Sequence, residues 1–489
     1  MLQSPEAAAP ATPAPRPPSL LTKLSYGAGS VAFGVKDTGF SYFLLLFYSQ
    51  VIGLDAPLVG LALTIALVLD AISDPIVGYW SDTFRSRWGR RHIFMYASAI
   101  PVAISYFLLW SPPADWGQDA LFWYLLVLAV LTRTFLTFFE TPSAALAPEL
   151  TQDYDQRSTL LAFRNFFGWT GGNATTVLMF FILFPAFTTA AIPQGQFNRD
   201  AYVVYGAIAA AMIFLAIMAS SLGTHGYITR LAQPAARPGL SLPGIFREIF
   251  ETLSNRSFIA IFIAAMFANV AVGVGSALSV YFSTYFWGFT APQIGLITLV
   301  IFLSALLGAA LAPFVTRTLG KKRGAITVGL IGLVVSPFAL TLRLLGVLKD
   351  GSDPVTFWVV LLQGQVEVIL VVCFQILVAS MIADLVEQSQ LKTGRRSEGV
   401  FYAANTFIQK VTTGVGVMVA TLVLTLAQFP AGAAPDQITD DVLQRLGLWF
   451  LPVIFILRVA TIAVLFTYTL DRKGHEDNLR KLAAADTAR

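Results

Sequence analysis

The chain has 489 residues, of which 56% are hydrophobic and only 12% are charged. Soluble domains have about 25% charged residues, so this composition excludes an ordinary water-soluble enzyme and indicates a chain surrounded by lipid. The net charge of +4 does not indicate a nucleic-acid partner, because the Lys and Arg residues lie mainly in short loops between apolar stretches, where they orient membrane helices.

The chain begins with residues 1–22, which are rich in Ala and Pro and lack the apolar run of a signal peptide, so we expect a disordered tail there. Twelve apolar stretches that are long enough to cross a bilayer follow this tail. They lie at 25–51, 57–82, 92–111, 119–147, 158–186, 201–225, 257–286, 292–316, 324–346, 354–386, 398–428 and 447–470. Because every backbone polar group in hydrocarbon needs an internal partner, the sequence predicts an all-α membrane protein with twelve transmembrane helices.

The longest polar stretch between these helices, residues 229–255, divides them six and six. Its second half has apolar residues at near-helical spacing, which indicates an amphipathic surface helix. The basic turn Trp88-Gly89-Arg90-Arg91 after the second helix has a counterpart, Leu319-Gly320-Lys321-Lys322, after the eighth. A 6+6 arrangement is typical of transporters in which one half rocks against the other. We therefore predict two six-helix bundles and a second tail, at 23–228, 256–471 and 472–489.

The Lys and Arg residues are distributed unequally between the loops on the two sides of the predicted bundle. Most lie in the tails and in the loops after even-numbered helices, whereas the other loops hold little beyond Arg199, Lys349 and Arg445. Since short cytoplasmic loops carry an excess of positive charge, we expect both termini in the cytoplasm and the protein in the inner (plasma) membrane.

Cysteine and histidine offer little chemistry in this sequence. Cys373 is the single cysteine and lies in an apolar run, so no intrachain disulfide or cysteine metal site is available. The three histidines, His92, His225 and His475, lie at helix ends or in the C-terminal tail. We therefore expect no buried imidazole for catalysis or proton relay, and no cofactor.

Ionisable residues inside the predicted helices are the strongest functional signal. A charge at the bilayer centre costs about 2.5–3.5 kcal/mol, so such residues face the protein interior. They are Asp37, Asp70, Asp74, Arg133, Glu140 and Arg164 in the first half, and Glu367, Lys410 and Arg458 in the second half. This asymmetry predicts that the first half carries the polar site.

Asp70 and Asp74 are four residues apart on the second helix, so both carboxylates lie on one helix face. Two like charges this close in a low dielectric need a bound cation between them or a proton on one of them. Oxygen ligands suit the hard cations Na⁺ and Li⁺, and Thr137 on the fourth helix is the best candidate for an added hydroxyl ligand. The alternative is that the two acids only pair with Arg133 and Arg164 as structural ion pairs.

Asp37, Glu140 and Arg164 are the candidates for binding a polar substrate, because carboxylates accept hydrogen bonds from hydroxyl groups and a guanidinium donates in a fork. The alternative for each residue is charge neutralisation alone. Lys410 is the counter-charge that we expect to lock one conformation when no cation is bound. On this hypothesis, a Lys410→Ala variant folds but loses or uncouples transport.

Five separated motifs stand out along the helices and their connecting turns. They are Phe33-Gly34-Val35-Lys36-Asp37, Asp70-Ala71-Ile72-Ser73-Asp74-Pro75, Arg85-Ser86-Arg87-Trp88-Gly89-Arg90, Phe163-Arg164-Asn165-Phe166-Phe167 and Ala383-Asp384-Leu385-Val386-Glu387. Together with the spacing of Lys410, they resemble the glycoside-pentoside-hexuronide:cation symporter family (melibiose permease-like) of the major facilitator superfamily. The resemblance implies a twelve-helix fold with 6+6 pseudosymmetry and cation-coupled transport.

The resemblance also implies roles for individual residues. It implies a coupling-cation site at Asp70, Asp74 and Thr137. It implies a substrate site at Asp37, Glu140 and Arg164, with Asn405 and Thr406 facing them from the eleventh helix and Lys410 near both sites. It implies a cytoplasmic gate that contains Arg85, Arg87, Asp384 and Glu387.

Three positions depart from the pattern of the sugar-transporting members that the chain resembles. Glu140 stands in place of an Asp, and Ala144 and Gln375 stand in place of two tryptophans that pack on the substrate. Vertebrate lysophospholipid symporters share the two-Asp motif, so cation coupling can be kept while the cargo differs.

The sequence therefore predicts a cation-coupled symporter, driven by Na⁺ or H⁺, that imports a sugar or glycoside by alternating access and acts as a monomer among membrane lipids. The alternative cargo is an amphipathic, lysolipid-like molecule. An intramembrane enzyme is disfavoured because the spans offer no metal-ligand cluster and no nucleophile–base pair. A channel is disfavoured because a 6+6 repeat with one buried Lys suits a two-state carrier.

Overall fold

The computed structural model describes residues 18–84, 86–151, 153–228, 256–393 and 398–468. These residues form twelve long helical segments, α1 to α12 in chain order, together with short 3-10 helices at Gly195–Phe197 and Pro435–Gln437 and no β-strand. Eight segments are continuous α-helices: α2 (Ala56–Thr83), α3 (His92–Leu109), α4 (Gln118–Leu150), α6 (Arg199–His225), α8 (Ala291–Leu319), α10 (Pro354–Thr393), α11 (Glu398–Leu426) and α12 (Asp440–Phe466).

The other four segments change helix type or break along their length. α1 covers 20–51, with α-helical Leu20–Ala28, Ser30–Thr38 and Leu44–Leu46 and π-helical Gly39–Phe43 and Phe47–Val51. α5 contains Tyr154–Leu178, π-helical Met179–Leu183 and Phe184–Ala186, and α7 contains Arg256–Tyr281 and π-helical Phe282–Phe286. α9 contains Lys321–Val335 and Phe338–Leu344.

Eleven helices in the described part of the chain are long and apolar enough to cross a membrane. α1 is not among them, and it carries Lys36, Asp37 and other polar residues within its apolar run. Its whole run of 20–51 is long enough to span a bilayer. The structure therefore agrees with the predicted all-α membrane protein of twelve helices.

Two helices extend well beyond their predicted spans. α10 continues to Thr393 instead of ending at 386, and α12 begins at Asp440 instead of 447. Hydropathy marks only the part of a helix that lies in hydrocarbon, whereas the backbone hydrogen bonds continue into the polar region.

Because twelve antiparallel helices follow one another, α1 begins and α12 ends on the same side, which we name the terminal face. The opposite face carries the loops at 52–55, 110–117, 187–198, 287–290, 345–353 and 427–439. Much of the aromatic core lies toward the opposite face, where Phe47 stacks on Tyr202 with ring centroids 4.6 Å apart. This end of the first six helices is therefore a dense, apolar anchor.

The helices pack as two sets. In the first set α1 packs on α5 and α6, α3 packs on α4 and α6, and α2 packs on α4. In the second set α7 packs on α11 and α12, and α10 packs on α8 and α9. The sets meet mainly where α2 packs on α11, with smaller contacts of α7 with α1 and of α8 with α5. The predicted domain boundaries stay a prediction, and the predicted amphipathic helix at 229–255 lies outside the described residues.

Glycine permits the close approach of helices at two of these contacts. A Cβ atom on Gly34 of α1 would lie 1.9 Å from the carbonyl oxygen of Gly168 on α5. A Cβ atom on Gly60 of α2 would lie 2.6 Å from Oγ1 of Thr421 on α11. Close helix approach of this kind helps to fix the helices that carry the intramembrane charges.

The second-half charges Glu367 and Arg458 pair with each other where α9 breaks at Ser336 and Pro337. Glu367 Oε1 also accepts a hydrogen bond of 2.8 Å from Ser336 Oγ. Gln363 Nε2 donates to the carbonyl oxygens of Val335 and Ser336 at 3.1 and 3.3 Å, which satisfies groups freed by the break. This cluster therefore joins α9, α10 and α12 within one set of helices.

The expectation that no imidazole is buried is wrong. His92 begins α3 and is fully buried, with Nε2 2.9 Å from Thr224 Oγ1 at the end of α6. Its position at a helix end suggested exposure, but α6 packs over the first turn of α3. His225 lies beside it, with ring centroids 6.1 Å apart.

Candidate functional site

The densest group of intramembrane charges lies where α2, α4 and α11 meet. Asp70 and Asp74 occupy the middle of α2, one helical turn apart, just before Pro75. The side chain of Asp70 is 3% exposed, and that of Asp74 is 25% exposed. The structure thus brings the two acids to one face, and only Asp74 is open to solvent to any extent.

Lys410 of α11 bridges the two acids. Its Nζ lies 3.0 Å from Asp70 Oδ2 and 2.6 Å from Asp74 Oδ2. This ammonium occupies the position between the carboxylates where the sequence predicts a monovalent cation. Since α11 belongs to the second set of helices, the ion pair also joins the two sets at their centre.

Thr137 of α4 lies on the other side of the same acids. Its Oγ1 is 2.9 Å from Asp70 Oδ1, 3.1 Å from Asp74 Oδ1 and 3.1 Å from the Arg133 carbonyl oxygen. A hydroxyl group has one proton and can donate to only one of these three acceptors at a time. When Thr137 donates to one carboxylate, the nearby oxygen of the other is left able to accept from another donor or to contact a cation.

Arg133, one turn before Thr137, also contacts Asp70. Its Nη1 donates to Asp70 Oδ2 at 3.1 Å, and the side chain is 6% exposed. Its guanidinium lies over the ring of Phe40 in α1, 4.4 Å from the centroid. The structural pairing that the sequence left as an alternative is thus present for Asp70 with Arg133. Asp74 pairs with Lys410 instead, and Arg164 contacts other groups.

Arg164 of α5 lies beside the part of α4 that contains Pro142. Its Nη1 donates to Ser143 Oγ at 2.9 Å, and its Nη2 lies 3.5 Å from the Glu140 carbonyl oxygen. The guanidinium also lies 4.9 Å from the centroid of the Phe33 ring. The structure therefore brings Arg164 and Glu140 together through the backbone of α4, and the Glu140 carboxylate acts electrostatically on Lys410.

Asp37 occupies a more open position on α1 than the other intramembrane acids. Its side chain is 59% exposed, and its Oδ1 lies 2.5 Å from Nζ of Lys36. Among the described hydrogen bonds and ion pairs, none joins Asp37 to Glu140 or Arg164. The convergence of these three residues on a substrate stays a prediction.

Lys36 is a buried charge that the count of intramembrane residues missed. Its side chain is 5% exposed, and it contributes to the electrostatic environment of Asp70. The signal was present in the sequence as a lysine in the middle of the apolar run of α1. With Lys36 included, the site contains four acids and four bases: Asp37, Asp70, Asp74 and Glu140, and Lys36, Arg133, Arg164 and Lys410.

The remaining predicted residues are only partly described. Asn405 and Thr406 lie on α11 about one turn before Lys410, but their side chains are outside the described part. The same holds for the side chains of Asp384 and Glu387 on α10, and for all of Arg85. Arg87 is exposed, with its guanidinium 5.7 Å from the Trp88 ring.

Another acid at the terminal face escaped prediction. Glu149, near the end of α4, accepts hydrogen bonds from Arg90 and from Arg91, whose Nη2 lies 2.6 Å from Glu149 Oε1. The basic turn is therefore held within the first set of helices. Only the turn's charge was visible in the sequence, because its partner lies 58 residues away along the chain.

A second polar contact joins the two sets at the opposite face. We name it the opposite-face seal, and it consists of Ser49, Gln50, Tyr281, Tyr285 and Gly432. Tyr285 Oη lies 3.0 Å from the Ala433 carbonyl oxygen and 3.3 Å from Gln50 Oε1, and Gln50 Nε2 lies 3.4 Å from Tyr281 Oη. The backbone N–H of Gly432 donates to the Ser49 carbonyl oxygen at 3.0 Å. All four side chains are 5% exposed or less, so this face is closed.

The chemistry of the central site suits ion binding and polar recognition. Two carboxylates and a hydroxyl offer oxygen ligands to a monovalent cation. No group of three or more His, Cys, Asp or Glu side chains that could hold a metal ion occurs in the described part of the chain. The positive charge of Lys410 between the two acids is therefore the central feature of this site.

Comparisons with known proteins agree with this architecture. Residues 25–472 match the model of a family described as MFS/sugar transport protein. The sodium-dependent lysophosphatidylcholine symporter 1 of Gallus gallus is 25% identical, over 95% of this chain and 89% of its own length. The isoprimeverose transporter of Lactiplantibacillus pentosus is 23% identical, over 94% of this chain and 93% of its own length.

A solved structure supports the fold. The crystal structure of a D-xylose–proton symporter superposes with a TM-score of 0.62 at 14% sequence identity, covering 93% of this chain and 98% of that one. At this identity the likeness concerns the fold alone. Because the family match covers nearly the whole chain, the protein belongs to the MFS/sugar transport protein family of membrane transporters.

Proposed function

We propose that the protein is a cation-coupled symporter, not an enzyme, which imports a sugar or a lysolipid-like substrate across the inner membrane by alternating access. The observation that carries the proposal is the position of Lys410 between Asp70 and Asp74. Lys410 comes from the second set of helices, whereas both acids come from the first. Rocking of the sets removes this ammonium, and the acids then need another positive charge.

The free energy of replacing the Lys410 ammonium by a cation couples cation binding to the movement of the two sets. An uncompensated charge at the bilayer centre costs about 2.5–3.5 kcal/mol, so the state without Lys410 between the acids is rare until a cation binds. Na⁺ fits the oxygens of Asp70, Asp74 and Thr137, and a proton on one acid would serve the same purpose. Binding of the cation therefore lowers the free-energy cost of the conformational change, and binding of the substrate completes that change.

The proposed substrate site lies beside the cation site. Asp37, Glu140 and Arg164 offer charged hydrogen-bonding groups there, and Asn405, Thr406 and Lys410 extend the site on α11. The description of the family and the isoprimeverose transporter favour a sugar as cargo. Ala144 and Gln375, which offer no aromatic face to a sugar ring, and the likeness to a lysophosphatidylcholine symporter favour an amphipathic cargo.

The orientation follows from the loop charges. The terminal face, with its basic turns and both tails, is proposed to be cytoplasmic. Arg85, Arg87, Asp384 and Glu387 would form the gate on that side. The opposite-face seal would then close the outer entrance in the conformation described here.

A ligand screen tests cargo and ion together. Purified protein is heated with candidate sugars or lysophosphatidylcholine, in sodium chloride or in choline chloride. We expect Tm to rise by several degrees with one cargo class and only in sodium, because a ligand at 100 times its Kd stabilises the folded state by about 2.7 kcal/mol. Stabilisation that does not depend on the cation would refute sodium coupling.

Transport by an Asp74→Asn variant tests the site. In proteoliposomes we expect this variant to lose cation-dependent accumulation of the cargo found in the screen, because the acid that the cation serves is gone. Asp350→Asn is the matched control, since Asp350 is an exposed carboxylate in an opposite-face loop. Accumulation by Asp74→Asn in response to a Na⁺ or H⁺ gradient at the level of the control would show that the coupling site lies elsewhere.

A further inference from the structure

Asp70 and Asp74 have different kinds of positive partner. Asp70 contacts Arg133 at 3.1 Å and Lys410 at 3.0 Å, whereas Asp74 has Lys410 as its cationic partner among the described ion pairs. Arg133 and Asp70 both belong to the first set of helices, on α4 and α2, which pack closely along their length. Lys410 belongs to the second set. When the two sets move relative to each other, Arg133 therefore stays with Asp70, whereas Lys410 does not.

Three features hold Arg133 in place. Its side chain is 6% exposed, its Nη1 donates to Asp70 Oδ2 at 3.1 Å, and its guanidinium lies 4.4 Å from the centroid of the Phe40 ring. A guanidinium over an aromatic face is attracted by the electrons of the ring. Arginine also stays protonated under all physiological conditions, unlike lysine in a buried site. The positive charge beside Asp70 is thus permanent.

We infer that Arg133 is a positioning residue that neutralises Asp70 throughout the transport cycle, so that the exchangeable charge belongs to Asp74 and one coupling cation is bound per cycle. The inference rests on the proposed function. When Lys410 leaves, two acids and one guanidinium remain, with a net charge of minus one. One monovalent cation restores neutrality, and a second would leave a net positive charge in a low-dielectric site.

On this assignment, Asp70 and Asp74 both offer oxygen ligands to the cation, but only the charge of Asp74 has to be neutralised by it. Asp70 still offers oxygen atoms to a cation, but its negative charge is already balanced by Arg133. Asp74, at 25% exposure, is reached from solvent more readily than Asp70 at 3%. Removing the Arg133 guanidinium should therefore increase the number of cations bound from one to two, rather than only lower the affinity for one cation.

The test is a count of radiolabelled sodium bound to the purified full chain, with no cargo present. From the charge balance we expect about one sodium ion for the wild type, none for Asp74→Asn, about two for Arg133→Gln and about one for Arg133→Gln/Asp74→Asn. Arg133→Lys should return the count to about one, because it restores the charge. A loss of packing alone would lower binding in every variant and would not raise the count.

Each outcome bears on one claim only. If wild type binds one ion, Asp74→Asn binds none and Arg133→Gln still binds one, the role of Arg133 is refuted while the proposed coupling site stands. If wild type and Asp74→Asn bind sodium equally, the proposed coupling site itself is wrong.

Should Arg133→Gln not fold, the charge-balanced Arg133→Gln/Asp70→Asn variant takes its place. It should bind about one ion, and failure to bind any would refute the inference.

Discussion

Two of the polar contacts that join the two sets of helices have opposite character. At the centre, the contact is charged and consists of one ammonium from α11 between two carboxylates of α2. At the opposite face, the seal is neutral and consists of hydroxyl, amide and backbone groups around Tyr285 and Gln50. The seal is buried, whereas the central contact is only partly buried, with the side chains of Asp74 and Lys410 25% and 18% exposed.

The difference lies in what can replace each partner. Water can satisfy the neutral groups of the seal one for one, so opening it costs little net hydrogen-bond energy, about 1 kcal/mol for each bond. Water cannot replace the ammonium between Asp70 and Asp74 at the membrane centre without a larger cost. On the proposed function, a cation therefore has to take the place of the ammonium in the central contact, whereas water can take the place of the partners in the seal.

Replacing the mobile charge should have the largest effect. We expect Lys410→Ala to fold, to bind sodium about 10-fold more tightly because no ammonium has to be displaced, and to lose coupled accumulation of cargo. Sodium binding to purified protein and uptake into proteoliposomes measure the two effects. Lys349→Ala, which removes an exposed lysine at the opposite face, is the control. Normal coupled uptake by Lys410→Ala would remove the central contact from the mechanism.

Weakening the seal should have an intermediate effect. Tyr285→Phe removes the hydroxyl that contacts Ala433 and Gln50, at a cost of about 1 kcal/mol, which shifts a two-state equilibrium about fivefold toward the open seal. The readout is the labelling rate of a Ser49→Cys, Cys373→Ser protein by a membrane-impermeant maleimide. Tyr48→Phe is the matched control, because its hydroxyl donates to the Leu109 carbonyl oxygen within the first set. Equal labelling of the two variants would mean that the hydroxyl does not hold this face closed.

An ion pair that stays within one set should affect transport least. Arg458→Met leaves Glu367 without its cation and should lower the free energy of unfolding by about 1–3 kcal/mol, since both side chains are partly exposed. The corresponding fall in Tm is measured by thermal unfolding, and Glu367→Gln/Arg458→Met should recover part of it. Sodium dependence of uptake should not change. A changed cation dependence would show that this pair takes part in coupling.

Some of this organisation could be predicted from the sequence. Hydropathy predicts the helices because a chain in hydrocarbon has to form all of its backbone hydrogen bonds internally. The spacing of Asp70 and Asp74 predicts a shared face, and the rarity of charge in α11 predicts Lys410 as their partner. Each of these inferences uses either local periodicity or the high cost of a charge in lipid.

Other contacts could not be predicted, because they depend on which helices pack together. The pairing of Glu149 with the basic turn and the burial of His92 both arise from long-range packing of α4 and α6 against α2, α3 and their turn. The neutral groups of the opposite-face seal carry no charge signal at all. Lys36 was predictable in principle, since a lysine within an apolar run has the same meaning as an aspartate there.

The π-helical stretches of α1, α5 and α7 all lie in the parts of these helices that approach the opposite face. A π turn places one more residue between hydrogen-bonded partners than an α turn, so it is equivalent to a single-residue insertion. Deleting one residue from Phe47–Val51 should therefore let this stretch return to α-helical hydrogen bonding, with the turns on either side kept close to their present orientation. A relative without this π turn would align with both sides of it only if the comparison allows a gap of one residue there.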